Sequence, residues 1–411
     1  MRASSPHPEG SCSVRDPDFP NATSGNAGQP EGVPHPVRLA FREISRARLR
    51  FMLLAGAAGL LVFLILFQST LLTTLLSFFS GALETQSGQV VVYSDEARKN
   101  PEGSVIPPAT VDQVAAVRGV AEAGPFGIGT MTARAGGKEL DVALLGYELG
   151  GPGAPTRLVT GRLPRTDGEG VASDIDASRG FAIGDTVTII GPDGKYPITI
   201  VGLSEKARFS VQPGVFVSYP TFEAASKVKN PDAIAILPSM VVANPDPGVS
   251  PATVADRINR QVAGVQALDR ATAVTSLPGV AAVTTSFNII QGLAFIVVTL
   301  VVGIFFVILT VQKAAALTLL RAIGAGTGEL VRSLLVQVLA VMIAAIGVGA
   351  FFLLVASLAS GSSFPISFDP VMVLTRGAVI IVLALLASLA AVRRVLKIDP
   401  IAATVPAGID L

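Results

Sequence analysis

The sequence predicts an α-helical membrane protein with four transmembrane helices and an inserted α/β plus β-rich extracellular domain between helices one and two. Three observations carry that expectation. Half of the 411 residues are hydrophobic and only 15% are charged, with a mean hydropathy of +0.59, which is unusual for a soluble domain of this length. Four apolar runs are each long enough to cross a bilayer as helix. Basic residues collect on one side of those runs.

Residues 1–36 are rich in Pro, Gly, Ser and Asn and poor in aliphatics, so they are read as a disordered tail rather than a signal peptide. Segment 37–83 follows as one unit. In Val37–Arg50, Leu39, Ile44 and Leu49 alternate with Arg38, Arg42, Arg46, Arg48 and Arg50, the pattern of an amphipathic helix lying on an anionic leaflet. The first spanning helix runs from Phe51 to about Leu72, and apolar residues through Phe79 extend it as a stalk.

Residues 84–288 form the inserted domain. Its 21 acidic and 17 basic residues give no nucleic-acid surface. Strands are expected at Gln89–Tyr93 and Met240–Ala243, each followed by a helix that opens on Pro-Ala-Thr-Val, at Pro108 and at Pro251. Thr near each start suits capping. These two pieces suggest one α/β lobe built from both ends of the insert. Between them, Phe181–Ile190, Tyr196–Leu203 and Val211–Ser218 read as strands separated by turns such as Gly191-Pro192-Asp193-Gly194.

Residues 289–392 hold the other three spanning helices. Ile289–Val311 is a run of 23 uncharged residues, about 35 Å as helix. Leu334–Leu354 and Val371–Val392 are the third and fourth. Lys313, Arg321 and Arg332 lie between helices two and three, and Arg393, Arg394 and Lys397 follow helix four, whereas Ser360–Pro370 carries no Lys or Arg. Both termini are therefore expected in the cytoplasm of a multi-pass protein of the cell membrane, with 393–411 as a cytoplasmic tail. Arg376, near the outer end of helix four, can snorkel.

In segment 312–332, Leu317, Leu320, Ile323 and Leu330 form an apolar stripe that Gly324-Ala325-Gly326 interrupts. Here the chain resembles the FtsX-like permease superfamily, the membrane subunits of MacB-type ATP-binding cassette systems. The family motif L-[KR]-A-[IL]-G-A stands as Leu320-Arg321-Ala322-Ile323-Gly324-Ala325, while Lys313-Ala314-Ala315-Ala316 replaces an acidic position common in the family. The insert is similar to the MacB periplasmic domain at Gly161-Arg162-Leu163-Pro164, Gly170-Val171, Gly184-Asp185-Thr186-Val187 and Val201-Gly202-Leu203, and Asp399-Pro400 matches the family's C-terminal pattern. The run Phe305-Phe306-Val307-Ile308-Leu309-Thr310-Val311-Gln312-Lys313 resembles the compact HrtB- and DevC-type permeases.

The resemblance implies a non-enzymatic permease subunit, dimeric in the bilayer, driven by a separate cytosolic ABC ATPase that binds the ATP. Lys313, Leu317, Leu320, Arg321, Ile323, Gly324 and Arg332 would couple to that ATPase. A membrane-fusion protein is a further implied partner. The expected activity is export of a hydrophobic or amphiphilic substrate from the outer leaflet or the periplasmic side. The alternatives are an FtsX-type mechanotransmitter acting on a cell-wall hydrolase and a lipoprotein-extracting permease.

The residues themselves limit the chemistry. The single cysteine, Cys12, and both histidines, His7 and His35, lie in the N-terminal tail. An intrachain disulfide is thus excluded, and so is a His-ligated metal or Ser-His-Asp triad in the folded body. Gly191-Pro192-Asp193-Gly194-Lys195-Tyr196 lacks the Ser/Thr that a phosphate-cradling loop requires and reads as a hairpin turn. No resident cofactor is expected, and haem enters only as cargo, with Glu84 and Tyr93 as candidate ligands.

Polar residues Gln68, Ser69 and Thr70 in helix one and Ser286, Asn288 and Gln291 in helix two lie at one membrane level. They suit either helix packing or lateral entry of a substrate. A lateral path would be walled by Phe63, Phe67, Leu71, Phe78, Phe287, Ile290 and Phe295, with Gln68 and Gln291 as its polar groups. Gln337 reads as a packing contact, and Gly56, Gly59, Gly347 and Gly349 as points of close helix approach.

Overall fold

The computed structural model describes residues 48–192, 194–312, 327–360 and 368–396. The tail, most of the amphipathic segment and the coupling residues Lys313, Leu317, Leu320, Arg321, Ile323 and Gly324 lie outside them. Helix α1 spans Arg48–Thr85, well beyond the apolar run that signals it, because Ser, Thr and small residues continue the helix without a Pro.

A folded head follows. In chain order it comprises β1 (Val90–Ser94), α2 (Pro108–Ala115), β2 (Val120–Ala135), β3 (Lys138–Tyr147), β4 (Leu158–Gly161), β5 (Glu169–Ser173), β6 (Thr186–Gly191), β7 (Gly194–Ser204), β8 (Gly214–Ser218), α3 (Tyr219–Lys229), β9 (Met240–Pro245), α4 (Pro251–Gln261), β10 (Val265–Asp269) and α5 (Arg270–Ser276). Three long helices complete the chain: α6 (Pro278–Gln312), α7 (Thr327–Ala359) and α8 (Pro370–Leu396). Pro278 and Pro370 occupy first helical positions, where a missing N–H costs nothing. Asp369 caps α8, accepting from the Val371 amide at 2.8 Å.

The sheet order is β10-β1-β9-β2-β3-β8-β5-β7-β4, with β6 pairing to β2 and β7. Strand β1 lies antiparallel to both β10 and β9, so the two ends of the insert share one edge. Helices α2 and α4 cover it, burying Val114, Val254 and Ile258 with Val90, Val92 and Val241. Both helices begin with Pro, but the caps differ from expectation. Ser250, not Thr253, is the acceptor at α4, and α2 starts from Pro107 without a side-chain cap.

Three strand expectations shift. Residues 181–185 are turns, because Gly180 (φ 97°) and Gly184 (φ 93°) leave the extended region and Asp185 Oδ2 accepts from the Ala182 amide at 2.8 Å. Strand β8 begins only at Gly214, since Ser210 (φ 48°) and Val211 (φ 70°) are left-handed. The β2–β3 hairpin, with ten paired positions, was not foreseen. Gly136 and Gly137, both at positive φ, form its two-residue turn.

The long helices pack through one apolar cluster. Helix α1 contributes Leu54, Ala58, Val62 and Ile65, α6 Val302 and Phe306, α7 Met342 and Ala345, and α8 Ile380 and Ala384. The spacing on α1 is a helical stripe. Two of the four glycines make the α1–α7 contact. A Cβ on Gly59 would stand 2.7 Å from Val348, and one on Gly349 2.8 Å from Val62, whereas Gly56 and Gly347 meet nothing within 4 Å among the described residues. Gly59→Val and Gly349→Val are therefore expected to destabilise the bundle by about 1–3 kcal/mol each, through overpacking. Gly56→Val should leave the thermal midpoint of the detergent-solubilised chain within about 0.5 kcal/mol of the parent.

Candidate functional site: the junction of α1, α6 and the head

Helix α1 is held by the head along its C-terminal end. The loop that precedes β8 lies against it and exchanges three main-chain hydrogen bonds. Val211 N–H donates to Phe78 O (2.9 Å), Ser210 N–H to Phe79 O (3.1 Å), and Ala82 N–H to Arg208 O (2.9 Å). Such sideways bonds require close approach, and Gly81 permits it: a Cβ there would lie 2.3 Å from Lys206 O. Val211 is β-branched and left-handed, an uncommon conformation that this docking sustains.

Beneath the loop sits a buried ion pair. Arg208 donates to Asp176 Oδ2 through Nε (2.8 Å) and to Oδ1 through an Nη (2.5 Å). Arg179 adds a third donor at 2.9 Å. Asp176 is fully buried and Arg208 nearly so. The Arg208 guanidinium also lies 4.3 Å from the centre of the Phe78 ring, a cation–π contact to α1. Ser173 Oγ, Asp174 Oδ1 and Gln212 Oε1 are buried without a partner among the described residues, and burial raises the Asp174 carboxyl above the usual range. Further out, Arg162 grips Glu169 and, with the Arg165 amide, pulls that carboxyl down to about 2.

Three side-chain hydrogen bonds among the described residues link α1 to α6. At the N-terminal end of α1 Arg50 donates to Gln312 Oε1 at 3.0 Å. Toward the head Gln291 donates to Ser69 Oγ at 2.7 Å, and Gln68 to Phe287 O at 3.3 Å. Where the helices meet the head, Arg270 donates to Gln86 O, and its own amide to Gln89 O at 2.9 Å. Thr85 O accepts from both the amide and hydroxyl of Thr156.

The residues singled out for a lateral path separate into groups. Phe63, Phe67 and Phe295 pack on the helix bundle. Leu71 and Phe287 are half-buried and Ile290 is exposed. Phe78 is buried under Arg208, in the docking joint. Gln68 and Gln291 bond within one chain, and Gln337 is buried in α7. Arg332 is exposed on α7. Tyr93 is sealed in the head core with its hydroxyl unpartnered among the described residues, and Glu84 faces Lys206 at 3.4 Å. Sequence reasoning missed Arg208, Asp176 and the docking loop. Arg208 lies 32 residues from Asp176 and the loop is far in sequence from Phe78, so no local pattern marks the joint.

Two family models match this architecture. The MacB-like periplasmic core domain matches residues 53–261, half of the chain, and the FtsX-like permease C-terminal model matches residues 287–400. The protein belongs to the ABC transporter permeases of the MacB/FtsX type. A putative hemin transport system permease protein HrtB of Staphylococcus haemolyticus is 22% identical over 89% of this chain and 99% of its own. An uncharacterised ABC transporter permease of Mycobacterium bovis is 27% identical over 70% of this chain and 76% of its own. The extracellular domain of the noncanonic ABC-type transporter YknZ covers 44% of this chain and 99% of its own at 15% identity, with a TM-score of 0.32. A permease of this type works with a partner ATPase, so the MacB/FtsX-type chain here is one part of an energised assembly. In the permease, the docking joint is the place where α1 passes from the apolar bundle into the MacB-like domain.

Proposed function

We propose that this permease exports a hydrophobic or amphiphilic substrate from the outer leaflet, using ATP hydrolysed by its partner. Both termini face the cytoplasm, the head lies outside, and two copies act together. The observation that carries this reading is the continuity of two helices. At 1.5 Å per residue, the 38 residues of α1 and the 35 of α6 span about 57 and 52 Å, whereas the hydrocarbon core is about 30 Å thick. Each helix therefore runs as one rigid rod from the inner side to the head. Arg50 and Gln312 tie their inner ends next to segment 313–332, and the docking loop ties the outer end of α1. A push delivered by the ATPase at the coupling residues would move the head directly. The ATP then biases two arrangements of the same rods.

Cargo would enter between α1 and α6 near Leu71 and Ile290. Haem, the cargo named for the staphylococcal relative, is one amphiphile of the class. Its export would need ligands other than Tyr93, which is sealed in the head.

The test is made at the coupling segment. Leu320→Glu with Arg321→Glu should reduce co-purification of the ATPase and its permease-dependent ATP hydrolysis by about tenfold or more, the equivalent of at least 1.4 kcal/mol of coupling. Unaltered complex and hydrolysis would remove the coupling role.

A further inference from the structure

The clefts along the long helices are largely apolar, and the cleft beside Glu84 is lined by as many acidic as basic side chains. A smaller pocket, of about 190 Å³, is neither. It lies where four parts meet: α1 at Phe79, the docking loop at Phe209 and Ser210, the first turn of α6 at Gly279, and the helical turn Pro101–Gly103 with its cap Asn100. Among the described residues, Glu102 is the one charged side chain that lines it.

That carboxylate is left without a counter-charge. It accepts from the Thr130 hydroxyl at 3.0 Å, a neutral donor, and forms no ion pair among the described residues. Arg98 and Lys99 precede the turn but do not line the pocket. The first turn of α6 contributes an opposing partial charge of about half a unit, less than the full charge of Glu102. The turn itself is fixed, because Asn100 Oδ1 accepts from the Glu102 amide at 3.2 Å and Pro101 is buried.

Two phenyl rings also line the pocket. Phe209 is buried and Phe79 half-buried. Gly279 leaves one side of the Phe79 ring uncovered, since a Cβ there would stand 3.3 Å from Cδ1 and Cε1. Phenyl faces attract an organic cation, and a carboxylate holds its N–H groups by charge-assisted hydrogen bonds. An anion would be repelled by Glu102, and a neutral alcohol would gain neither contact. Volume sets the size. At about 30 Å³ per water the pocket has room for about six waters, which admits a short alkyl chain and one nitrogen but no lipid tail.

We propose that this pocket binds a small alkylammonium ion, with its nitrogen on Glu102 and its carbons against Phe79 and Phe209. The occupant would touch α1, the docking loop and α6 together, and so hold the joint in its docked arrangement. The site is separate from the lateral path and does not depend on what is exported. A free amine and an ethanolamine lipid headgroup carry the same ammonium chemistry.

The full chain in dodecyl maltoside, which contains no nitrogen, is titrated with butylammonium, butanol or butyrate and followed by saturation-transfer NMR of the ligand. A saturable response to butylammonium is expected, about tenfold weaker for butanol and weaker still for butyrate. Glu102 is exposed, and Glu102→Gln retains an acceptor for Thr130, so the unliganded thermal midpoint should not move. The change should weaken butylammonium about tenfold, to the level of butanol. Saturating butylammonium should raise the midpoint of the parent and not of the variant. Nanodiscs separate the sources. Phosphatidylethanolamine that displaces butylammonium, where phosphatidylglycerol does not, assigns the nitrogen to a lipid headgroup. No displacement assigns it to a free amine, and both support the site.

Butyrate as strong as butylammonium would assign the pocket to the α6 N-terminus and overturn the proposal. So would a response that does not saturate, or one that Glu102→Gln leaves unchanged.

Discussion

Replacing Arg208 with alanine is expected to destabilise the head by about 3–5 kcal/mol, because Asp176 would remain buried with its main counter-charge gone. Asp176→Ala should cost a similar amount, leaving Arg208 and Arg179 without their acceptor. The double change Arg208→Met with Asp176→Leu removes both charges and keeps apolar volume, so it should recover most of that loss. Thermal unfolding of the detergent-solubilised chain, followed by size exclusion, reads all three. If the single changes shift the midpoint no more than a surface substitution does, the ion pair does not anchor the joint. The double variant has a second use. A stable head that no longer supports transport would show that the guanidinium's contact with Phe78 transmits motion as well as holding the fold.

Leu71→Trp and Ile290→Trp are expected to abolish protection against an exported toxic amphiphile, an effect of about tenfold or more on substrate affinity, while ATPase coupling persists. Ile290 is 53% exposed and Leu71 half-buried, so neither indole needs to enter the apolar cluster between α1 and α7. Gln291→Leu provides the contrast. It deletes the bond to Ser69 and should cost about 0.6–1.7 kcal/mol of helix association without narrowing the path. Full protection by well-expressed Trp variants would remove the lateral path.

The long helices were legible because apolar runs of spanning length admit few other readings. Their ends were not. Helix α1 continues through Ser77, Ser80 and Thr85, where hydropathy has faded but nothing breaks the helix. The hairpin turn Gly191–Gly194 was readable from its residues, since turn chemistry is local. The stretch from Val211 misread as strand because its apolar residues suit one, whereas Val211 itself is held left-handed by contact with α1. The level of Gln68 and Gln291 could be counted along the helices, but their bonding to Phe287 and Ser69 depends on helix rotation, which the sequence does not state. Among the glycines, composition marked four candidates, and only packing separates Gly59 and Gly349 from the other two.

The adjoining ends of the insert have a consequence for modularity. The chain enters the head at β1 and leaves from β10, neighbouring strands, and Arg270 bridges the entry and exit segments through Gln86 and Gln89. An insertion whose ends lie together adds little loop-closure cost to its host, whatever its length. The head is therefore a cassette. A donor head of another size could be grafted between Thr85 and Pro278 provided it presents two neighbouring strand ends and carries its own equivalent of the 206–212 loop. Without that loop the graft would be tethered to the bundle but would not be driven by it.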